Sequence, residues 1–504
     1  MTEVTTVPNT GADTKVQRNF LKVRDDRESV LFRRKPKGTP DTKSTDKDGE
    51  MSQHTGEDVP DDKDHRRDSG KQEYVLELEN PKQVDWVADP RSITLKELRA
   101  RIEPWLTALF QSEHLSVLLG SGLSKAVSHI AGGSAADMSG RISAGKLTDK
   151  LEGAAKRSAA DAGRNEGNIE DWIRTANELL RGLEILEDQK QADRLRKGIS
   201  DTVSAFAKSI LAGERSIAAA DKEKRECALS YLVTFLMSFA SRSGPRDRLN
   251  IFTTNYDRLI EVGAELAGLH LLDRFVGNLA PIFRSSRLDI DMHYNPPGMR
   301  GEPRYLEGVA RFTKLHGSLD WVEAGRVIRR IGLPFGAHDI GPYLRAPGLV
   351  EVDINKLMIY PNAAKDRETA EYPYVELFRD LAAAICRPNS TLVTYGFGFG
   401  DEHISRVIRD MLTIPSTHLV VISYDNLIDR IEQLVQEHRA QVSLLVGPVL
   451  SDLETLTNYF LPKAAIDRAT LRMSDLLRQR LGSTPHPEAK SEPPNTQATE
   501  EKSP

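Results

Sequence analysis

The stretch LNIFTTNYDRLIE, Leu249 to Glu261, decides the fold. A short apolar run containing Ile251 and Phe252 stops at Thr253-Thr254-Asn255-Tyr256-Asp257, and Leu259, Ile260, Gly263, Ala264 and Ala267 then fall on one face of a helix. A strand thus delivers polar residues to a strand-to-helix turn, the place where open α/β sheets bind ligands. Three further stretches share this form: LSVLLGSGLSKA (Leu115 to Ala126), RFTKLHGSLDW (Arg311 to Trp321) and TLVTYGFGFGDEHI (Thr391 to Ile404).

Working outward, buried-strand runs at Leu357 to Tyr360, Thr391 to Tyr395, Leu419 to Ser423 and Val442 to Val446 alternate with helical stripes. Val375, Phe378, Leu381, Ala382 and Ile385 mark one stripe; Ile404, Val407, Ile408, Met411 and Leu412 mark another, and Leu427 to Val435 a third. Such alternation predicts a mostly parallel sheet covered on both faces. Upstream, Glu73 to Glu79 reads as an edge strand, and Thr94 to Phe110 as a helix that Pro104 bends or splits. From about Arg141 to Arg246 the pattern is helical throughout, with helices expected at Ile169 to Leu186, Ala192 to Leu211 and Lys222 to Arg242. This inserted helical subdomain is read either as a lid over the cleft or as a subunit contact.

The chain has 504 residues, 39% of them hydrophobic, enough for one large core and a second domain. A net charge of −5 argues against a protein dominated by phosphate-backbone contacts, so nucleic acid is not directly indicated. Two distant cysteines, Cys227 and Cys386, build neither a disulfide framework nor a zinc site, and no metal is expected. The opening MTEVTTVPNTGADTK lacks the apolar core of a signal peptide, and no apolar run approaches a membrane span, so a soluble, cytoplasmic chain is expected. Residues 1–72 and 481–504 have the charged and polar composition of disordered tails. Within the first, the basic patch Arg24 to Lys37 surrounds Val30, Leu31 and Phe32, and is read as a solvated tail or as a partner-binding segment.

Taken in this order, GSGLS, TTNYD, KLHGS and GFGFGD resemble the Sir2 family, and more closely its bacterial SIR2-like NADase branch than its protein deacylases. The resemblance runs from about Leu115 to Val446 with a long interruption after the first motif. It implies α/β architecture: a Rossmann-like, doubly wound, mostly parallel sheet with an inserted all-helical subdomain and disordered termini. The domains expected are a tail at 1–72, a SIR2-like Rossmann domain at 73–140 and 247–463, a helical insertion at 141–246, a C-terminal helix at 464–480 and a tail at 481–504.

The same resemblance implies NAD as substrate and assigns roles to residues. Asn255 matches the Asn of the family's TQNxD motif, with Thr254 in place of Gln, and is expected to hold a water or ribose hydroxyl beside the nicotinamide ribose. His316 matches the family's His-Gly and is expected to act as base. Gly120, Ser121, Gly122 and Ser124 would meet the cofactor where a helix N-terminus favours a pyrophosphate, with Thr254 beside them. Asp257 matches the motif's acid and would either accept bonds from ribose or loop N–H groups or stabilise the helix N-terminus. Gly396, Phe397, Gly398 and Asp401 would wrap the adenosine half and phosphates, and Asp425 in the ISYDN turn would meet the adenine ribose. An ordinary tight turn explains GSG taken singly, and a helix cap explains Asn255 taken singly; the ordered set of four favours function.

Two departures rank the alternatives. After Ser124 the chain reads KAVSHIAGG, with no GIPxFR segment, and two isolated cysteines cannot supply the four ligands of the deacylases' zinc ribbon. A deacylase therefore stands below an NADase, and a non-catalytic nucleotide-sensing or scaffolding module remains the rival from another class. Relatives of the NADase branch are commonly antiphage effectors that deplete NAD, some of them working with a HerA-like ATPase. With no GxxxxGK[ST] loop in this chain, such an ATPase would be a separate polypeptide. The apolar helical insertion also suggests a homo-oligomer.

Overall fold

A computed structural model describes residues 18–463 with internal breaks, the longest being 35–72, 78–84, 162–166, 295–303 and 358–371. Four antiparallel strands come first: β1 (Arg18–Lys22), β2 (Val30–Arg34), β3 (Glu73–Leu76) and β4 (Ser92–Thr94). Seven strands then run parallel to one another: β5 (His114–Leu119), β6 (Leu249–Thr253), β7 (His270–Leu272), β8 (Val309–Lys314), β9 (Ser390–Tyr395), β10 (His418–Ser423) and β11 (Val442–Val446). All eleven make one sheet in the order β4-β3-β2-β1-β11-β10-β9-β5-β6-β8-β7.

Six of the parallel strands therefore lie as β8-β6-β5-β9-β10-β11, which in chain order reads third, second, first, fourth, fifth, sixth. This is the doubly wound Rossmann arrangement, and its strand order reverses between β5 and β9. The direct pairing of Leu119 with Tyr395 places the GSGLS and GFGFGD turns side by side at that switch point.

The strands are apolar runs because both sheet faces are covered. Successive residues of β5 and β6 alternate between layers: Val117, Leu119 and Ile251 enter one core, while Leu118 and Phe252 enter the other. The first layer is built by α1 (Leu95–Phe110), α2 (Ser121–Ile130), α6 (Lys222–Ala240) and α7 (Leu259–Ala267), with α3 to α5 described below. The second is built by α8 (Tyr374–Ile385), α9 (Glu402–Leu412) and α10 (Ile428–Glu437), with a small antiparallel sheet that contains the hairpin of Trp321–Ala324 and Val327–Arg330.

The helical stretch divides in two. Helices α3 (Thr148–Asp161), α4 (Ile169–Ile185) and α5 (Gln189–Ala218) share a cluster of their own with Tyr256, Leu319 and Val322, residues that follow the carboxyl ends of β6 and β8. They cover the cleft. Helix α6, expected within the insertion, instead buries Leu232, Phe235, Leu236 and Phe239 against the sheet layer.

Three other expectations change. The tail reading of residues 1–72 is corrected at β1 and β2, which extend the sheet beyond β11 through the antiparallel pairs Phe20↔Val446 and Phe20↔Leu31. Leu21, Val30 and Phe32 are buried there, so two of the three apolar residues inside the basic patch, Val30 and Phe32, belong to the core rather than to a solvated tail. Strand β3 is interior, flanked by β2 and β4, rather than an edge. Helix α1 runs unsplit through Pro104, which lies on its exposed side. The strand expected at Leu357 to Tyr360 is described only as a bridge between Leu357 and Val322, its remaining residues lying outside the described ones. The C-terminal helix at 464–480 and the tail at 481–504 likewise lie outside them. Among the described residues no helix is long and apolar enough to cross a membrane.

Candidate active site

The two glycine turns at the switch point are pressed together. Gly122 N–H donates to Gly396 O at 3.1 Å, and Gly120 N–H donates to Tyr395 O at 3.0 Å. A Cβ on Gly120 would sit 2.4 Å from Gly396 O, and one on Gly396, whose φ is +60°, would sit 2.5 Å from the Gly122 Cα. These glycines are small because one turn packs on the other. Gly120→Ala is accordingly expected to destabilise the fold by about 1–3 kcal/mol, the usual cost of overpacking, read as a lowered denaturant midpoint at unchanged slope.

Cavities lie on both sides of the paired turns. One of about 300 Å³ is lined by Gly120, Ser121, Ser124, Thr254, Asn255, Asp257, His316, Gly396, Phe397, Gly398 and Asp401 among others. The second, of about 430 Å³, shares Ser121, Gly396, Phe397 and Gly398 and adds Gly122, Lys125 and the exposed Tyr424 and Asp425. The expected site residues are thus brought to one crevice, with Gly122 and Asp425 on its second chamber, away from Asn255 and His316. Two chambers that share lining residues at a helix N-terminus suit a dinucleotide, whose halves meet at a diphosphate junction. The Arg430 guanidinium, bonded to Gly398 O at 2.9 Å, adds positive charge beside that junction.

Asn255 is buried and held from three directions. Its backbone N–H donates to Thr253 Oγ1 at 3.0 Å, and its side-chain amide donates to Gly120 O at 2.9 Å and to Ser124 Oγ at 3.0 Å. A carbonyl only accepts, so the Gly120 contact sets which end of the amide is nitrogen. With both amide hydrogens taken, the Asn255 carbonyl oxygen is the polar atom left for a ligand. Ser124 in turn donates to Asp257 Oδ2 at 2.6 Å, and Asp257 Oδ1 accepts from Leu259 N–H at 3.1 Å. Asp257 therefore orients Ser124 and starts α7, and Ser124 orients Asn255.

His316 lies across the cavity lining, with Nε2 2.9 Å from Asp401 Oδ2. The other oxygen of Asp401 caps α9, accepting from His403 N–H at 2.9 Å and Ile404 N–H at 3.2 Å. Asp401, expected to touch cofactor, is thus also the residue that orients the imidazole. An ionised carboxylate only accepts, so Nε2 carries the proton and Nδ1 is the basic nitrogen. Phe397 is mostly core, packed beside Phe399 with ring centroids 5.1 Å apart.

Several contributors were not among the expected site residues. Glu170 and Glu214 come from the helical cover, and both line the first cavity. Glu170 Oε1 accepts from Tyr256 Oη at 3.2 Å; burial, and then the Glu170 charge, push the Tyr256 phenol well above its ordinary value and keep it a neutral donor. Glu214 accepts from Arg258 N–H at 2.9 Å and forms a buried ion pair with the Arg258 side chain, which also donates to Pro334 O at 3.0 Å. Lys314, two residues before His316, donates to the Asp257 carbonyl and, at 3.0 Å, to Glu261 Oε1, tying the two polar turns together. Helical spacing gives no signal for Glu170 or Glu214, because burial against neighbouring helices already explains where they fall. Among the described residues no group of three or more His, Cys, Asp or Glu is placed to hold a metal.

The chain matches no curated protein. Residues 249–443, which run from β6 into β11 and carry the TTNYD, KLHGS and GFGFGD turns, match the family model described as SIR2-like domain.

Proposed function

We propose that this protein hydrolyses NAD at the nicotinamide–ribose bond, releasing nicotinamide and ADP-ribose. The observation that carries this is the convergence of Asn255 and His316, 61 residues apart in the sequence, on one cavity beside the paired glycine turns. The Asn255 carbonyl oxygen accepts a hydrogen bond from the attacking water, and His316 Nδ1 takes that water's proton. Bond cleavage passes through an oxocarbenium-like state, and the carboxylates of Asp257, Asp401 and Glu170 around this chamber favour positive charge developing on the ribose. The α2 N-terminus and Arg430 favour the diphosphate at the other end of the chamber.

The biological role proposed is depletion of NAD as a bacterial antiphage effector with a separate HerA-like ATPase as candidate partner, supported by the motif resemblance alone, and a homo-oligomer, supported by the apolar composition of the helical insertion. The chemical step is tested by Asn255→Ala, expected to lower kcat for nicotinamide release by about 10²–10³-fold, the usual effect of deleting one preorganised polar group. Equal rates in wild type and variant would remove Asn255 from the mechanism. Binding of NAD without any release of nicotinamide would favour a nucleotide-sensing module, and turnover only with an acylated peptide would favour a deacylase.

A further inference from the structure

We propose that Glu170, carried by the helical cover, is a positioning residue for His316, so that the site is complete only when α4 is in place. This rests on the NAD-cleaving reading and deepens it. Glu170 stands in the first turn of α4, where Asn168 and Asp171 already form a reciprocal capping box, so the helix start does not depend on it. It turns toward the cavity instead, its side chain 16% exposed. There it meets both polar turns at once: Oε1 accepts from Tyr256 Oη at 3.2 Å, next in sequence to Asn255, and lies 4.0 Å from His316 Nδ1.

Because Asp401 occupies Nε2, Nδ1 is the nitrogen left to take a proton. In hydrolysis, water gives its proton to Nδ1 while its oxygen bonds to the ribose carbon. The carbon–nitrogen bond breaks, its electron pair returns to the pyridinium nitrogen, and neutral nicotinamide leaves. His316 later releases the proton to solvent. Between those events the imidazolium lies between Asp401 and Glu170, and the Glu170 charge favours that state at a distance too long for a direct bond and short enough for an ion pair. The neutral phenol of Tyr256 holds Glu170 there without competing for the proton. Helix α4 therefore supplies a charge as well as a wall, and displacing the cover would uncouple the base.

The test is steady-state NAD cleavage by the full chain carrying Glu170→Gln, Glu170→Asp or, on the exposed part of the same helix, Glu178→Gln. Gln keeps an acceptor for Tyr256 and removes only the charge. The expected result is a kcat lowered about tenfold or more in Glu170→Gln with KM unchanged, partial recovery in Glu170→Asp, and wild-type values in Glu178→Gln. Wild-type kcat in Glu170→Gln, a change confined to KM, or equal rates in the Gln and Asp variants would overturn the role of Glu170 while leaving Asn255 and His316 untouched. Absence of nicotinamide release from the wild type would overturn the hydrolase reading and this inference with it.

Discussion

Replacing His316 by alanine is expected to lower NAD turnover by about 10²–10⁴-fold, the span that a positioned general base contributes, with little change in affinity for NAD. Alanine leaves the glycine turns, α2 and Asn255 in place, so the loss falls on the chemical step. Asp401→Asn gives an informative companion. The new amide can keep its oxygen on the α9 N–H groups and turn its nitrogen toward Nε2, which must then accept and forces the proton onto Nδ1. The imidazole would remain in position as the wrong tautomer. A fall in kcat without loss of fold, measured by single-turnover nicotinamide release alongside a melting curve, is the expected outcome. Undiminished turnover in His316→Ala would exclude it as the base.

The second large effect is on stability. Glu214 and Arg258 form a pair with side chains only 1% and 7% exposed, and it links α5 of the cover to the residue following Asp257. Burial pushes the Glu214 carboxyl above its usual range, and Arg258 pulls it back. Glu214→Ala leaves an uncompensated buried guanidinium and is expected to cost about 3–5 kcal/mol, a large part of the roughly 5–15 kcal/mol that stabilises ordinary folded proteins. Denaturant unfolding measures this directly. Removing both charges as Glu214→Met with Arg258→Met should restore much of the loss, because the penalty lies in the orphaned charge. A Glu214→Ala variant within about 0.5 kcal/mol of wild type, the range of ordinary surface substitutions, would show that the pair does not anchor the cover.

Six of the seven parallel strands and their ligand-binding edge could be read from the chain because each is a short apolar run stopped by glycine or polar residues, whereas β7 (His270–Leu272) is too short to stand out from the irregular stretch that follows it. The six-strand order around β5 and β9 adds what no single run contains, that the first and last glycine turns are neighbours. The same contact changes the meaning of the glycines: Gly120, Gly122 and Gly396 permit two backbones to touch, whatever they also permit a phosphate to do. The strands β1 and β2 escaped notice because charged residues dominate their surroundings, while only a few buried groups such as Leu21 and Phe32 pin them to the sheet. Asn255, His316 and Asp401 were legible as motif residues, yet the bond that makes Asp401 the orienting partner of His316 spans 85 positions. Glu170 and Glu214 were not legible at all. Their partners Tyr256 and Arg258 are 86 and 44 positions away, and only the packing of α4 and α5 over the strand ends brings them together.

The most direct measurement is to incubate the full-length wild-type protein with NAD and quantify nicotinamide, ADP-ribose and cyclic ADP-ribose by chromatography, with Asn255→Ala alongside. Hydrolysis at the Asn255–His316 chamber predicts nicotinamide and ADP-ribose in equal amounts, with the signal lost in the variant. Recovery of intact NAD from the wild type, or release that is identical in the two proteins, would contradict it.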